Sequence, residues 1–509
     1  MKYFYCQKVY FLTVFPVDFF GGEMVLQSLA FPDEVCCENF IYFRTDGKIN
    51  GGKIALKAGQ TVTSDTYMNV FDMGFWRKYT GIEAPCLEFS LSGNAAFRIL
   101  IKKGQNVEIF LEGEAGSGKH TVCLSAVKDG LVFFYIKAKE LLLFEGGAFC
   151  EAKAPLKKIY IAVNTVTFHR NGQLAANLDR FKNTPFFNKE DFRFGRLKIY
   201  VTDNGDDFEA DEVSPFINVC RNSNKGGGSG GFACGLARIK EDTESFPATH
   251  VVFMDDDAQF QPEAFVRLYS FFSYIREEYG QNPVAGRMFC ADRRTVQYTA
   301  AESWNSADLI HFEENLDMVL PENVIEEGAV TGEYGGWWLC AYPASFALNN
   351  RPFPFFLHCD DAEYGLRCGK RALILRGFGV WHETADRRSS PAFAYYDARN
   401  SFILNMMEEP KEEAPRVIAR WRALLDFYHS EGRYAEKYLC AAALMDALKA
   451  GKFLKKYGKI PEGRQERAKN ATFAKIAGAL LRRIAQKKAV RKYERVREEY
   501  INFRKGLNA

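Results

Sequence analysis

One stretch constrains this chain more than any other: Thr249–Pro262, THVVFMDDDAQFQP. The apolar, β-branched and aromatic run His250–Met254 predicts a short buried strand. It ends in three carboxylates, Asp255, Asp256 and Asp257, and Pro262 suits the first turn of a following helix. On an extended backbone Asp255 and Asp257 project to one side and Asp256 to the other. Carboxylates converging at the end of a buried strand repel each other unless a cation neutralises them. Hard oxygen ligands favour Mg²⁺ or Mn²⁺ over Zn²⁺. In an open α/β sheet, ligands bind just outside the carboxyl ends of the strands.

The surrounding sequence supplies such a sheet. Lys158–Asn164, Leu197–Val201 and Ile217–Cys220 read as further strands interleaved with helical stretches, which predicts a mostly parallel arrangement. Polar residues after these strands, Arg170, Asp203 and Asn204, would share one crevice with the acidic triplet. Between them lies Asn222–Ile239, NSNKGGGSGGFACGLARI. Its glycines Gly226, Gly227, Gly228, Gly230 and Gly231 leave room for backbone N–H groups to approach a ligand. A helix beginning near Gly231 would offer its N-terminus to a diphosphate. The spacing is not the dinucleotide fingerprint, which disfavours a dehydrogenase. Further on, GEYGGWWLCAYP places Trp337 and Trp338 where they could stack on a sugar face. PFFLHCDDAEYGLR puts Asp360 and Asp361 at the opening of a helix, and a carboxylate in a cleft can act as general base. The strand Ala372–Glu383 ends in His382, where a third metal ligand would be useful.

The flanks differ in character. Residues 1–154 alternate like short strands, among them Thr61–Val70, Cys86–Leu91, Ala96–Ile101 and Leu131–Ile136, and predict a β-sandwich in which Trp76, Phe133 and Phe134 are core. GEAGSGKHT (Gly113–Thr121) imitates a phosphate-binding loop, but His120 stands where Ser or Thr is needed, so a hairpin loop is expected. Ala154-Pro155 reads as a linker. From Gly451 onward 18 Lys and Arg face 5 Asp and Glu, a net +13 that leaves −10 on the first 450 residues. Phe473, Ile476, Leu480 and Ile484 recur at helical spacing among those basic residues. This favours an amphipathic helix on an anionic membrane surface over nucleic-acid binding, because the aromatic–basic interleaving of single-strand binders is missing. Thirteen scattered cysteines fit reduced thiols. The first twenty residues lack an apolar core with a cleavage site, and no run reaches the ~18 apolar residues of a membrane span. The expected location is the cytoplasm, peripheral to the inner face of the cell membrane.

Taken in order, Arg170, Asn204-Gly205, Gly227–Gly235, Asp255-Asp256-Asp257, Gly335-Gly336-Trp337-Trp338, Asp360–Arg367 and Trp381-His382 resemble the GT-A glycosyltransferases, and among them the polymerising galactofuranosyltransferases of mycobacterial type. The resemblance implies a multidomain fold: a β-sandwich over 1–154, an α/β GT-A domain over 155–395 and a basic helical region over 396–509. It implies an inverting transfer of galactofuranose from UDP-galactofuranose to a glycan or lipid-linked glycan. Asp255, Asp257 and His382 would hold Mn²⁺ (or Mg²⁺). Arg170, Asp203, Asn204, Asp256 and Gly227, Gly228, Gly230 and Gly231 would line the donor site. Asp361 would be the base, and Trp337, Trp338 and Asp360 would border the acceptor. Another donor such as dTDP-rhamnose, or an inactive glycan-binding protein, are the alternatives, and homo-oligomer formation stays open.

Overall fold

The computed structural model describes residues 24–209, 214–305, 308–326, 331–384, 390–451 and 458–508. The first twenty residues, where no leader is expected, lie outside the described residues, as does part of the basic stretch after Gly451.

Up to Glu151 the chain forms two six-stranded antiparallel sheets. Strand Pro85–Ser92 shows the alternation expected of a half-buried strand, with Leu87, Phe89 and Leu91 inward. They share a core with Ile99 and Ile101 of Ala95–Lys103 and with Phe134 and Ile136 of Leu131–Ala138. Trp76, Phe133 and Phe134 are buried in it, as expected. Two expectations need correcting. Strand Thr61–Val70 stops at Thr63, after which Asn69 uses its amide to hold the carbonyls of Ala30 and Tyr42. GEAGSGKHT is not a hairpin: Asn106–Ala115 and Gly118–Cys123 pair with different sheets, so the glycines turn the chain from one sheet to the other.

The second domain is a nine-stranded sheet. Strands β1 (Ile161–Thr167), β2 (Leu197–Asp203), β3 (Ile217–Arg221) and β4 (His250–Asp255) are parallel, in the order β3-β2-β1-β4. Beyond β4 the sheet is mixed, where a mostly parallel one was expected. With β5 as Val284–Cys290, strand β6 (Leu339–Pro343) pairs antiparallel with both β4 and β5. It enters from an irregular loop, and a parallel entry would need a crossover helix. Strand β7 (Leu373–His382) is parallel to β5 and brings His382 level with Cys290.

Helices α1 (Asn171–Lys182), α2 (Gly227–Glu241) and α3 (Glu263–Tyr274) follow β1, β3 and β4. Helix α4 (Asp360–Cys368) precedes β7. Next, α5 (Pro391–Glu408) opens with Ser390 accepting the Phe393 N–H and Pro391 in its first turn, so the expected edge at 395 lies inside one helix. Helices α6 (Ala414–Ser430), α7 (Tyr434–Ala447) and α8 (Ala471–Lys505) pack with α5 around Trp421, Leu425, Leu444 and Tyr500. No disulfide links the described cysteines, and no described helix is long and apolar enough to cross a membrane.

Helix α2 lies so close to β1 that a Cβ on Gly235 would stand 1.9 Å from Asn164 Oδ1. Asn164 is itself buried and donates to the Phe232 carbonyl, so it has no room to yield. Gly235→Ala is expected to destabilise the protein by about 1–3 kcal/mol, read as a lower urea midpoint. An unchanged midpoint would mean that α2 can lift off the sheet at no cost.

Candidate active site

The acidic triplet meets at a turn rather than along a strand. Strand β4 ends at Asp255, and Asp256 and Asp257 already belong to the turn that follows. The turn is held from α1, where the Asn177 amide donates to the carbonyls of Asp256 and Ala258, both at 2.9 Å. This curvature returns Asp257 to the side of Asp255, and β7 delivers His382 between them. His382 Nε2 lies 2.9 Å from Asp257 Oδ1 and 3.5 Å from Asp255 Oδ2. One ligand atom from each of the three residues falls within 4.8 Å of the others. Two oxygens and an imidazole nitrogen at that spacing fit a divalent cation of the Mn²⁺ or Mg²⁺ kind.

Asp256 points the other way and is buried. Arg170, at the start of α1, reaches both Asp256 Oδ1 (3.1 Å) and Asp257 Oδ2 (2.8 Å). Arg170 therefore braces the triplet, and its half-exposed side chain remains at the mouth of the crevice. Burial pushes the Asp256 carboxyl up in pKa, an effect opposed by the Arg170 guanidinium.

Several expected donor contacts have other work. Asp203 is fully buried, and its carboxylate accepts the N–H groups of Gly205, Asp206 and Phe208 at 2.9–3.0 Å. It shapes the turn after β2 and has no lone pair aimed at a ligand. The Asn204 amide donates to the Gly227 carbonyl at 2.9 Å and its oxygen accepts from Asn222, so it ties that turn to the glycine loop. Nor do the glycines form an open cradle. Helix α2 begins at Gly227, four residues earlier than expected, and the Gly228 N–H already donates to the Phe356 carbonyl at 2.8 Å. A Cβ would meet the Phe356 carbonyl 2.2 Å from Gly227, the Lys225 carbonyl 1.9 Å from Gly230 and Val166 2.5 Å from Gly231. These three glycines permit close packing. Of the four, Gly228 alone faces the cavity described next.

A cavity of about 220 Å³ lies beside the triad, and Asp255, His382, Trp337, Trp338, Asp360 and Asp361 all contribute to its wall. Trp337 is 4% exposed and stacks on Phe253 at 4.5 Å, so most of its ring is core. Trp338 is partly exposed and donates from Nε1 to the Gly286 carbonyl at 3.0 Å. The Ser229 hydroxyl donates to Asp360 Oδ2 at 2.8 Å. Among the described residues, Asp361 Oδ1 accepts the first-turn N–H of Ala362 in α4.

The sequence reading missed the opposite wall. A hairpin of Glu302–Asn305 and Asp308–His311 leans over the cavity with Glu302, Trp304 and His311. Glu302 Oε1 lies 3.2 Å from His311 Nδ1. Trp304 Nε1 donates to Asn405 of α5 at 2.8 Å, which anchors the hairpin to the helical domain. Alternation in ESWN and DLIH was a usable strand signal, but nothing local says where that hairpin folds back. His358, also in the wall, donates from Nε2 to Asp397 at 3.1 Å. Burial, then the Glu302 carboxylate and Asp360, push the Asp361 carboxyl up to about 8, while His358 pulls it down.

Known proteins share this layout. Residues 48–152 match the family described as galactofuranosyltransferase 2 N-terminal, and residues 163–318 match glycosyl transferase family 2. Most of the central domain is thus similar to family 2 glycosyltransferases. About two thirds of the chain or slightly more resembles galactofuranosyltransferase GlfT2. Identity is 24% over 383 residues with the protein from Mycolicibacterium smegmatis (67% of this chain, 57% of that one) and 24% over 404 residues with that from Mycobacterium tuberculosis (72% and 61%). The matched part thus spans about three fifths of those relatives. A solved mannosyltransferase from Pyrobaculum calidifontis, in complex with GDP-Man and Mn²⁺, aligns at 13% identity over 64% of this chain and 88% of its own. Its TM-score is 0.30, too low to bear on the site. The family 2 match includes Asp255 and Asp257 and ends before Asp361 and His382.

Because Glu302 is a main cause of the raised Asp361 pKa, Glu302→Gln should bring the carboxyl of Asp361 down. In the metal-free protein, ¹³C NMR should follow a titration near pH 8 for the parent and a lower one for the variant. A midpoint that does not move would remove Glu302 from the electrostatics of Asp361.

Proposed function

We propose that the protein is an inverting, metal-dependent glycosyltransferase that moves galactofuranose from UDP-galactofuranose to a glycan or lipid-linked glycan acceptor. The observation that carries this reading is the shared cavity: Asp255 and His382 of the three-residue cation cluster and a separate carboxylate, Asp361, line the same space. The similarity to GlfT2 proteins supports the choice of donor. Asp255, Asp257 and His382 are suited to hold Mn²⁺ or Mg²⁺, which would neutralise charge on a departing diphosphate. Arg170 keeps Asp257 in place and offers a cation at the crevice mouth. Trp338 and the exposed edge of Trp337 give a flat apolar wall against which a sugar can lie.

Asp361 takes the proton from the acceptor hydroxyl as that oxygen attacks the anomeric carbon. Attack from the cavity side opposite the leaving diphosphate inverts the centre in one displacement. A base with a pKa near 8 is matched to proton transfer near neutral pH. Its active form is the carboxylate, so the rate rises with pH through that pKa and falls below it.

Incubation with a panel of sugar nucleotides, with and without Mn²⁺ and with a galactofuranose-terminated acceptor, tests the assignment. UDP release from UDP-galactofuranose that needs Mn²⁺, and a loss of tenfold or more in Mn²⁺-supported UDP affinity in His382→Ala, are expected. Release from dTDP-rhamnose alone would replace the donor. Mn²⁺-supported UDP binding without turnover of any donor would point to an inactive binding protein.

We also propose that α8 rests on an anionic membrane surface at the inner face of the cell membrane. Phe473, Ile476, Leu480 and Ile484 are 40%, 67%, 59% and 37% exposed on one stripe of α8, with Lys475, Arg483 and Lys487 exposed beside them. A water-facing apolar stripe flanked by cations suits the headgroup boundary of anionic lipids. Ile476→Ser with Leu480→Ser should weaken sedimentation with phosphatidylglycerol vesicles, and added salt should weaken that of the parent. Equal binding by the double variant would end this reading.

A further inference from the structure

The turn that carries Asp360 and Asp361 is held from outside its own domain. Three of its non-glycine residues, Phe356 (φ 73°), His358 (φ 69°) and Cys359 (φ 67°), adopt left-handed backbone. L side chains stay in that region only when their surroundings over-determine it. The surroundings here centre on Asn400, a fully buried residue of α5. Its side-chain amide donates to the carbonyls of Phe355 (3.2 Å), Leu357 (2.7 Å) and His358 (2.8 Å). Arg399 Nε donates to Asn400 Oδ1 at 2.7 Å, which settles the side on which the amide hydrogens lie.

The two remaining carbonyls are also satisfied. That of Phe356 accepts from Gly228 N–H at 2.8 Å, and that of Cys359 from Glu363 N–H at 3.1 Å. Five consecutive carbonyls thus have donors; those of Leu357 and His358 depend on Asn400, and that of Phe355 is shared between Asn400 and Arg399 Nη2, which donates to it at 2.5 Å. Asp397 stands three residues earlier on the same face of α5 and accepts from His358 at 3.1 Å, adding a second tie to the same turn. Neither Asp397 nor Asn400 reaches the cavity wall.

We propose that Asn400 is a positioning residue for Asp361: by clamping the left-handed turn it aims the first carboxylates of α4 into the cavity that Asp255 and His382 also line. This rests on Asp361 being the general base. Without the clamp the turn can relax toward right-handed or extended backbone, which rotates the start of α4. A displacement of about 1 Å at a reacting group can cost about a hundredfold in rate. The cation site, built from β4 and β7, shares none of these bonds and should not move.

The groups facing Asp361 are Glu302 of the hairpin, Tyr334 of the loop before β6, Cys340 of β6, Asp360 of α4, and His358 and Cys359 of the turn. His358 is the cation among them that lowers the Asp361 pKa. Loosening the turn changes how deeply Asp361 is buried and how it faces Glu302, Asp360 and His358, so the pH at which it deprotonates should shift.

The test compares Asn400→Ser and Asp397→Asn with Asp361→Asn as reference, in the full chain. For Asn400→Ser, kcat for transfer should fall about ten- to a hundredfold while Mn²⁺-supported UDP affinity stays within about twofold, and the acid limb of the pH profile should move. Asp397→Asn, at a partly exposed position, should shift both in the same direction by less, and it decides the matter if Asn400→Ser does not fold. Wild-type kcat and pH limb in a folded variant would overturn the proposal, as would loss of UDP affinity in parallel with kcat, the mark of general collapse. Transfer retained by Asp361→Asn would instead remove the general-base reading. Carboxyl titration of Asp361 by ¹³C NMR reads the same shift without an activity assay, and no shift there would also overturn it.

Discussion

Three carboxylates within one turn are a charge problem that the rest of the structure answers. Two unit charges 4 Å apart repel by roughly 4 kcal/mol at an effective dielectric of about 20. Each neighbouring element removes part of that. Helix α1 contributes Arg170, which spans Asp256 and Asp257, and Asn177, which fixes the turn's carbonyls. Strand β7 contributes His382. Asp256 is turned away into the protein, so that two carboxylates rather than three face the crevice. Asp255 and Asp257 keep carboxylate oxygens close to His382, the grouping on which the proposed cation site rests.

The flanking domains hold this arrangement from two sides. The helix that follows the acidic turn, α3, is grasped by the β-sandwich. Glu263 accepts the Ser28 N–H at 2.6 Å, and fully buried Arg267 donates to the carbonyls of Ser28 (3.1 Å) and Met68 (2.8 Å). Ser270 adds a bond to the Val25 carbonyl at 2.6 Å. On the other side α5 holds the turn before Asp360 through Asn400 and the hairpin over the cavity through Asn405. The cation side of the cavity is therefore supported by the amino-terminal domain, and the carboxylate side by the carboxyl-terminal helices.

Asp255, Asp257, Asp361 and His382, which the structure brings near one another in the candidate site, could be named from the sequence, though partly for a different physical reason. Asp255 and Asp257 were grouped on strand periodicity, yet they meet because the chain turns after Asp255. The glycines after β3 were read as a cradle for a ligand, since sequence shows only that side chains are missing. Structure shows what occupies the space: the Phe356 carbonyl at Gly227, the Lys225 carbonyl at Gly230 and Val166 at Gly231. Asp203 and Asn204 carry polar groups that looked available; those of Asp203 are consumed by its own turn and those of Asn204 by the glycine loop. Glu302, Trp304, His358 and Asn400 had no local signal, because their roles depend on segments distant in the chain.

What the sequence by itself determined is local: which stretches are strands, where carboxylates, imidazole and indoles sit at their ends, and the division into sandwich, α/β domain and basic helices. Hydrophobic periodicity and turn chemistry act over a few residues, so they can be read from a few residues. Tertiary structure decided which polar groups remain available for chemistry. That depends on pairing across tens to hundreds of residues, as when Asn400 meets the carbonyls of Phe355, Leu357 and His358, or Glu302 comes to face Asp361 and raises its pKa. A side chain's type fixes what it can donate or accept, but only its folded neighbours fix whether that capacity is already spent.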